Sequence, residues 1–369
     1  MNRVRDFFKR ETVLCIAAVC AVISMFFVPP SGEYIGYIDF RVLGLLWCLM
    51  AVVAGLRYAG LFEYLTHRLL ERNIRGRTLD TILVLLPFFC SMIVTNDVAL
   101  LTFVPFTLGL LPAMHQEKKA VPILVLQTAA ANLGSMATPV GNPQNLFLYG
   151  KFELAPGDFF PVVLPVTLAC GIALTIAAMP ILPREIPAPF IGERPALHKK
   201  LLLVNGALFL LALAAVFRTL PWWIALIVTA AALFFFDRDR LREPDLALLA
   251  TFVCFFIFSG NLGRIAPIRD FLRALMEKNA LLTSALASQV ISNVPAAVLL
   301  SGFTENWRAL LLGTNIGGLG TPVASLASLI TMKLYFRIMG AEKGRYILWC
   351  LGVNVVGLAA LLAAAPLLG

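Results

Sequence analysis

Stretches of fifteen or more residues without a charge recur along the chain: Thr12 to Val28, Val42 to Leu56, Ala120 to Gly150, Phe159 to Leu182, Leu201 to Phe217, Thr219 to Phe236, Leu246 to Gly263, Ala309 to Met332 and Tyr346 to Gly369. About 20 residues of apolar helix cross the roughly 30 Å hydrocarbon core of a bilayer. The spacing therefore predicts an all-α polytopic membrane protein. Composition agrees, with 60% apolar and 14% charged residues against about 45–50% and about 25% in soluble domains. An ordinary soluble enzyme is excluded.

The 369 residues carry 30 basic and 21 acidic side chains, a net charge of +9. Threading the chain with a cytoplasmic N-terminus places 22 of the 30 Lys and Arg in inner loops and 8 outside, four of these between Arg264 and Lys278. This is the positive-inside bias of a plasma-membrane protein, a bacterial inner membrane by expectation, and it accounts for the surplus without nucleic acid. The same threading leaves the C-terminus outside. The basic N-terminal run leads into a retained first helix, because Val28-Pro29-Pro30 offers no small-residue cleavage site. Seven cysteines all fall in apolar segments without a CxxC pair, and His67, His115 and His198 are scattered through loops. Helix packing accounts for the cysteines, and neither disulfides nor a resident metal or organic cofactor is implied.

Two halves of the sequence share an ordered series of matches. Glu71-Arg72-Asn73 corresponds to Glu277-Lys278-Asn279. The S-x-x-x-[TS]-N pattern of Ser91, Thr95 and Asn96 returns at Ser288, Ser292 and Asn293. Asn132-Leu-Gly134, Thr138-Pro139-Val140 and Asn145-Leu146 return as Asn315-Ile-Gly317, Thr321-Pro322-Val323 and Ser328-Leu329. Parity of crossings puts the first amphipathic stretch inside and its counterpart outside. The repeats are thus expected to be inverted, a common build of secondary transporters. The organisation expected is a first repeat over 1–182, a cytoplasmic linker over 183–200, and a linking helix with the second repeat over 201–369.

Each half holds a segment that reads as a re-entrant hairpin. Residues 279–304 are uncharged, but Asn293 and Pro295 divide them into arms too short to span. In residues 81–114 the arms around Thr95-Asn96-Asp97 are longer, and two full helices remain an alternative. Each half also holds a broken helix, about 120–150 and about 309–332, interrupted by Gly, Pro and Asn. Irregular backbone at membrane depth is tolerated only where protein buries it or it lines a cavity. Thr138-Pro139 and Thr321-Pro322 have the N-cap and N1-proline signature of a restarting helix. Asn96-Asp97 and Asn293 start the second hairpin arms in the same way. Four helix N-termini suit an anion, and the preceding carbonyl ends suit Na⁺. Kinking and close packing alone would explain one such motif; two copies at matching places favour a site. Asp97 is the one charged residue of residues 81–114, and an intramembrane carboxylate is a functional candidate by default. It is the expected point of coupling to H⁺ or Na⁺, with a helix cap in a wet vestibule as the plain alternative.

These tips and breaks resemble the ion transporter superfamily of divalent-anion/sodium symporters, citrate carriers, arsenite permeases and one class of Na⁺/H⁺ antiporters. In the symporters each tip carries Ser-Asn-Thr and each break Gly-Thr-Pro. By position, the resemblance implies Na⁺ ligation at Ser91, Thr95, Asn96, Ser288, Ser292 and Asn293, with Asn132, Gly134, Asn315 and Gly317 at the preceding half-helix ends. It implies substrate contact at Asn96, Asn293, Thr138, Pro139, Thr321 and Pro322, with Asp97 and Asn142 beside them. The tips here lack both third-position threonines, and one break reads Ala137-Thr138-Pro139. A carboxylate at Asp97 would repel a dianion, and Asn96-Asp97 and Asn293-Val294-Pro295 look more like the arsenite permease and antiporter branches. The expected function is ion-coupled secondary transport of a small anion or oxyanion, carboxylate-type or arsenite-type. The alternative is an Na⁺/H⁺ antiporter with Asp97 as the exchanging carboxylate. A membrane enzyme is disfavoured, since no HExxH, paired-Asp or Ser-Lys motif stands in a broken helix. A channel fits inverted broken helices less well than a carrier. Relatives of this kind are often homodimers, though no sequence feature here shows it.

Overall fold

The computed structural model describes residues 11–70, 76–181, 183 and 196–368. The Glu71-Arg72-Asn73 motif and most of the 183–200 linker lie outside the described residues. Helices follow one another with no strand among the described residues: α1 (Thr12–Phe27), α2 (Glu33–Tyr37), α3 (Phe40–Tyr58), α4 (Leu61–Leu70), α5 (Gly76–Cys90), α6 (Asn96–Ala113), α7 (Ala120–Ser135), α8 (Pro143–Lys151) and α9 (Pro156–Ala178). Then come α10 (Lys199–Val216), α11 (Trp222–Phe236), α12 (Leu246–Arg264), α13 (Ala266–Ile291), α14 (Asn293–Leu300), α15 (Trp307–Ile316), α16 (Leu326–Phe336) and α17 (Lys343–Leu368). Side chains in the preceding loops set several starts: Asp39 accepts from Val42 N at 3.0 Å and Asp245 from Leu248 N at 2.9 Å. These bonds satisfy backbone donors that a helix leaves free in its first turn.

Among the described residues, six helical segments are long and apolar enough to cross a membrane: Phe40–Tyr58, Asn96–Ala113, Pro156–Ala178, Lys199–Val216, Arg238–Arg264 and Lys343–Ala365. Polarity is turned inside out relative to a soluble fold. Phe26, Phe27, Leu168, Ile172, Ile176, Leu348 and Val356 are exposed, while Gln127, Asn132, Ser135, Asn142, Gln144 and Asn145 are buried. Lipid would cover the first set; the second requires partners inside the protein. The chain is a multi-pass membrane protein.

Two long uncharged runs are interrupted where expected. α7 stops at Ser135 and α8 starts at Pro143; α15 stops at Ile316 and α16 starts at Leu326 after a 3₁₀ turn at Pro322–Ala324. α13 is bent at Asn279, whose φ of −164° and ψ of 90° are not helical. Beyond that bend, residues 280–291 make an arm of about 18 Å and the 8 residues of α14 one of about 12 Å. Both fall short of a roughly 30 Å core. The arms of the first half are longer, with 15 residues in α5 and 18 in α6.

α7 is buried over its whole length. It packs against α5, α6, α9, α16 and α17, while α15 packs against α13, α14 and α17. The two halves also exchange neighbours, α6 lying against α16 and α14 against α8. These contacts carry both breaks and both tips to one interior region.

Candidate functional site

The centre is a hydrogen-bonded set of asparagines and serines drawn from both breaks. Asn132, in the last turn of α7, accepts from Asn96 Nδ2 at 3.0 Å and from Ser325 Oγ at 2.9 Å, and its own amide lies 3.4 Å from Gly318 O. Asn315, in the last turn of α15, accepts from Asn142 Nδ2 at 3.0 Å and donates to Asn145 Oδ1 at 2.7 Å. Asn142 and Ser325 each cap the helix after a break, accepting from Asn145 N at 2.9 Å and Ala327 N at 3.2 Å. The residue before each break thus bonds the cap after the other break. Both members of this exchange, 132 with 315 and 142 with 325, stand 183 positions apart.

The tips are seated on the breaks by a second matched set. Thr138 Oγ1 donates to Met92 O, and Thr321 Oγ1 donates to Gln289 O at 3.2 Å. Asn96 N donates to Gly141 O at 3.1 Å, and Ser292 Oγ to Ala324 O at 3.2 Å. A Cβ added at Gly134 would lie 2.1 Å from Phe88 O and 2.8 Å from Ser91 Oγ; one at Gly317 would lie 2.8 Å from Ser288 Oγ. Glycine permits this approach of break to hairpin in both halves.

One expectation needs correction. Thr138-Pro139 does not restart the first broken helix: Asn142 is the N-cap and Pro143 the first helical residue. Thr138 lies inside the break with its hydroxyl committed to Met92 O, so packing against the hairpin uses the group that capping would have needed. In the second half Thr321-Pro322 opens only the 3₁₀ turn, and Ser325 caps α16. Thr95 and Ser292 occupy the N-cap positions of α6 and α14 without a side-chain cap bond. Ser292 has φ 73° and ψ 155°, a region that non-glycine residues rarely enter.

The remaining residues singled out from the sequence are less tightly joined. Ser91, just past the end of α5, donates back to Phe88 O at 2.9 Å, and Ser288 donates within α13 to Ser284 O at 2.8 Å. Asn293 Oδ1 accepts from Val294 N at 2.9 Å, and its amide lies 3.0 Å from where a Cβ on Gly318 would stand. Asp97 occupies the first turn of α6, beside Asn96 in sequence, and its buried Oδ1 has no hydrogen-bond partner. No group of three or more His, Cys, Asp or Glu able to hold a metal occurs among the described residues.

Asn145 and Gln289 were not singled out by the sequence. Asn145 Nδ2 lies 3.0 Å from Thr138 O and 3.1 Å from Met136 O; Gln289 Nε2 lies 2.8 Å from Gly317 O and 3.0 Å from Leu319 O. Each is an amide inside a motif already noted, but only the fold shows that it reaches the break.

Comparison with known proteins identifies the family of the chain. Residues 4–306 match the CitMHS family, described as citrate transporter. The chain belongs to this family of transporters. The matched residues include the first break and both tips, while the second break lies beyond them. An uncharacterized transporter of Methanocaldococcus jannaschii is 31% identical over 307 residues, 82% of this chain and 83% of that protein. The inner membrane protein YbiR of Escherichia coli is 29% identical over 317 residues, 84% of each chain. A silicon efflux transporter of Oryza sativa is 34% identical over 145 residues, 39% of this chain and 30% of that protein.

Proposed function

We propose that this transporter is a secondary active carrier of a small anion or oxyanion, working by alternating access and coupled to H⁺ or Na⁺ at Asp97. The observation that carries the reading is the reciprocal bonding of the two breaks, Asn142 to Asn315 and Ser325 to Asn132. It supports two repeats of inverted topology that meet at a polar centre, each contributing a hairpin and a discontinuous helix. In this reading residues 280–300 are a re-entrant hairpin, the N-terminus is cytoplasmic and the C-terminus lies outside. The helices starting at Asn96, Pro143, Asn293 and Leu326 direct N–H groups and positive dipole ends to a common region, where an anion is favoured. A carboxylate in the family's description and silicon in a relative's name bracket the substrate class.

Asp97 supplies the coupling. A buried carboxylate oxygen without a donor is costly, so a proton or cation taken up there is held strongly and its loss is tied to rearrangement of the tip. Asn96, Asn293, Thr138, Pro139, Asn142, Thr321 and Pro322 form the substrate-facing set of the proposal. The test is a thermal-shift screen of purified protein against citrate, dicarboxylates, silicic acid, arsenite, sulfate and phosphate at two pH values, with Na⁺ or K⁺. Stabilisation by one of these solutes, lost in Asn96→Ala and Asn293→Ala, is the expected result. Stabilisation by Na⁺ with none of the anions would replace this reading with the Na⁺/H⁺ antiporter.

A further inference from the structure

Far from the polar centre, the end of α11 carries charge where the chain leaves the apolar layer. α11 rises about 22 Å from Trp222 to Phe236. Exposed Trp223 stands near one end, the level at which tryptophan is enriched in membranes. At the other end the exposed rings of Phe234, Phe235 and Phe236 give way at once to Asp237. The 3₁₀ turn Arg238–Arg242, which packs on α3 and α11, is thereby set at headgroup level. In the expected topology this end is cytoplasmic. A cleft of about 560 Å³ opens there, lined by Phe234, Arg238, Asp239, Leu241 and Arg242.

The charges of this turn fall into two groups. Arg240 is spent inside the protein: it bonds Asp237 at 3.4 Å and Glu243 at 2.9 Å, and its guanidinium lies 4.3 Å from the centroid of the Tyr58 ring. Arg238, Asp239 and Arg242 are exposed and enter no ion pair among the described residues. Arg238 lies against the cleft's own wall, its guanidinium 4.8 Å from the centroid of Phe234. Two cations and one anion thus surround one opening, and Phe234 and Leu241 give it an apolar wall. Guanidinium groups suit a phosphate, to which each can donate two N–H groups, and basic pockets at membrane surfaces take lipid headgroups. A phosphate alone would leave Asp239 facing negative charge. A phosphate that carries an ammonium group a few atoms away satisfies all three side chains.

We infer that the cleft binds the headgroup of phosphatidylethanolamine, with its phosphate on Arg238 and Arg242, its primary ammonium on Asp239, and its glycerol and first acyl carbons against Phe234 and Leu241. Phosphatidylcholine offers the same charges without an N–H donor, and phosphatidylglycerol offers the phosphate without the cation. No residue of the polar centre takes part, so the assignment stands or falls apart from the carrier reading. Its test is thermal unfolding of the purified, delipidated full-length protein in mixed micelles. Phosphatidylethanolamine, its monomethyl and dimethyl derivatives, phosphatidylcholine and phosphatidylglycerol are each added at equal mole fraction to wild type, Arg238→Gln, Arg242→Gln and Asp239→Asn. The wild-type midpoint is expected to rise saturably by a few degrees with phosphatidylethanolamine, and by less with each added methyl group and with phosphatidylglycerol. Asp239→Asn is expected to bring phosphatidylethanolamine down to the phosphatidylcholine level, and either arginine variant to lose the response to phosphatidylethanolamine and phosphatidylglycerol alike. Equal wild-type midpoints in all five lipids overturn the inference, and need no variant to fold. A larger rise with phosphatidylglycerol, or a preference for phosphatidylethanolamine kept by all three variants, also overturns it. Equal stabilisation by glycerophosphoethanolamine, which has the headgroup but no acyl chain, would make this a site for a soluble phosphate ester and overturn the lipid assignment. A midpoint that ignores lipid but rises with protein concentration would give the cleft to a second copy of the chain.

Discussion

Asn132→Ala is the substitution whose cost the geometry fixes best. It deletes the acceptor of two donors, Asn96 Nδ2 at 3.0 Å and Ser325 Oγ at 2.9 Å, and a weak donor bond to Gly318 O at 3.4 Å. Asn132 is only 4% exposed, so water does not readily replace it. Each stranded donor costs about 1–3 kcal/mol in a soluble core, whereas measured interhelical bonds in membranes average about 0.6 and reach about 1.7 kcal/mol. Ser325 keeps its bond from Ala327 N and can turn away, so most of the loss falls on the Asn96 amide. The expected destabilisation is about 1–3 kcal/mol. A double-mutant cycle of Asn132→Ala with Ser325→Ala isolates the bond between the halves, with an expected coupling of about 0.5–1.5 kcal/mol. The cycle of Asn142→Ala with Asn315→Ala, its counterpart in the reciprocal exchange, should give a value of the same sign and size. Unfolding in mixed micelles, followed by loss of helicity, measures all seven proteins, the wild type being common to both cycles. Additivity within about 0.3 kcal/mol in both cycles would show that the breaks do not hold one another.

Three further outcomes follow. Gly134→Ala places a Cβ 2.1 Å from the backbone Phe88 O, a contact that no side-chain movement can relieve, and should cost at least about 1–3 kcal/mol by the same unfolding assay. Ser292→Gly releases a residue held at φ 73°, gaining about 1–3 kcal/mol, against loss of its hydroxyl bond to Ala324 O at 3.2 Å, about 0.5–1.5 kcal/mol. The variant should be as stable as wild type or more so, yet slower in transport if the strain assists movement of the tip; lower stability would show the strain to be unimportant. Glu33→Gln removes the exposed ion pair with Arg264 and should change the unfolding free energy by less than about 1 kcal/mol, serving as a control.

Much of this architecture can be read from residue order, because membrane crossing and helix breaking are local properties. The apolar runs from Thr12, Val42, Phe159, Leu201, Thr219, Leu246 and Tyr346 all became helices, and the interruptions near Gly134 and Gly317 fall within two residues of the observed helix ends. The exact restart was harder. Thr138-Pro139 and Asn142-Pro143 carry the same capping signature four residues apart, and a tertiary bond to Met92 O decides between them. Asn145 and Gln289 were missed for a related reason: each reaches the break through the fold, and nothing in the residues around it distinguishes such an amide from one that merely packs. The unusual backbone of Ser292 has no local signal either, since a glycine would normally mark it.

The most direct test of the central claim is solute uptake by proteoliposomes under an imposed pH gradient, with wild type and Asp97→Asn compared at equal protein content. The solute is whichever of citrate, silicic acid or arsenite stabilises the purified protein. The account predicts gradient-driven accumulation by wild type, and binding without accumulation by Asp97→Asn, because the amide keeps the shape of the tip but cannot exchange a proton. Equal gradient-driven accumulation by the two proteins would contradict it.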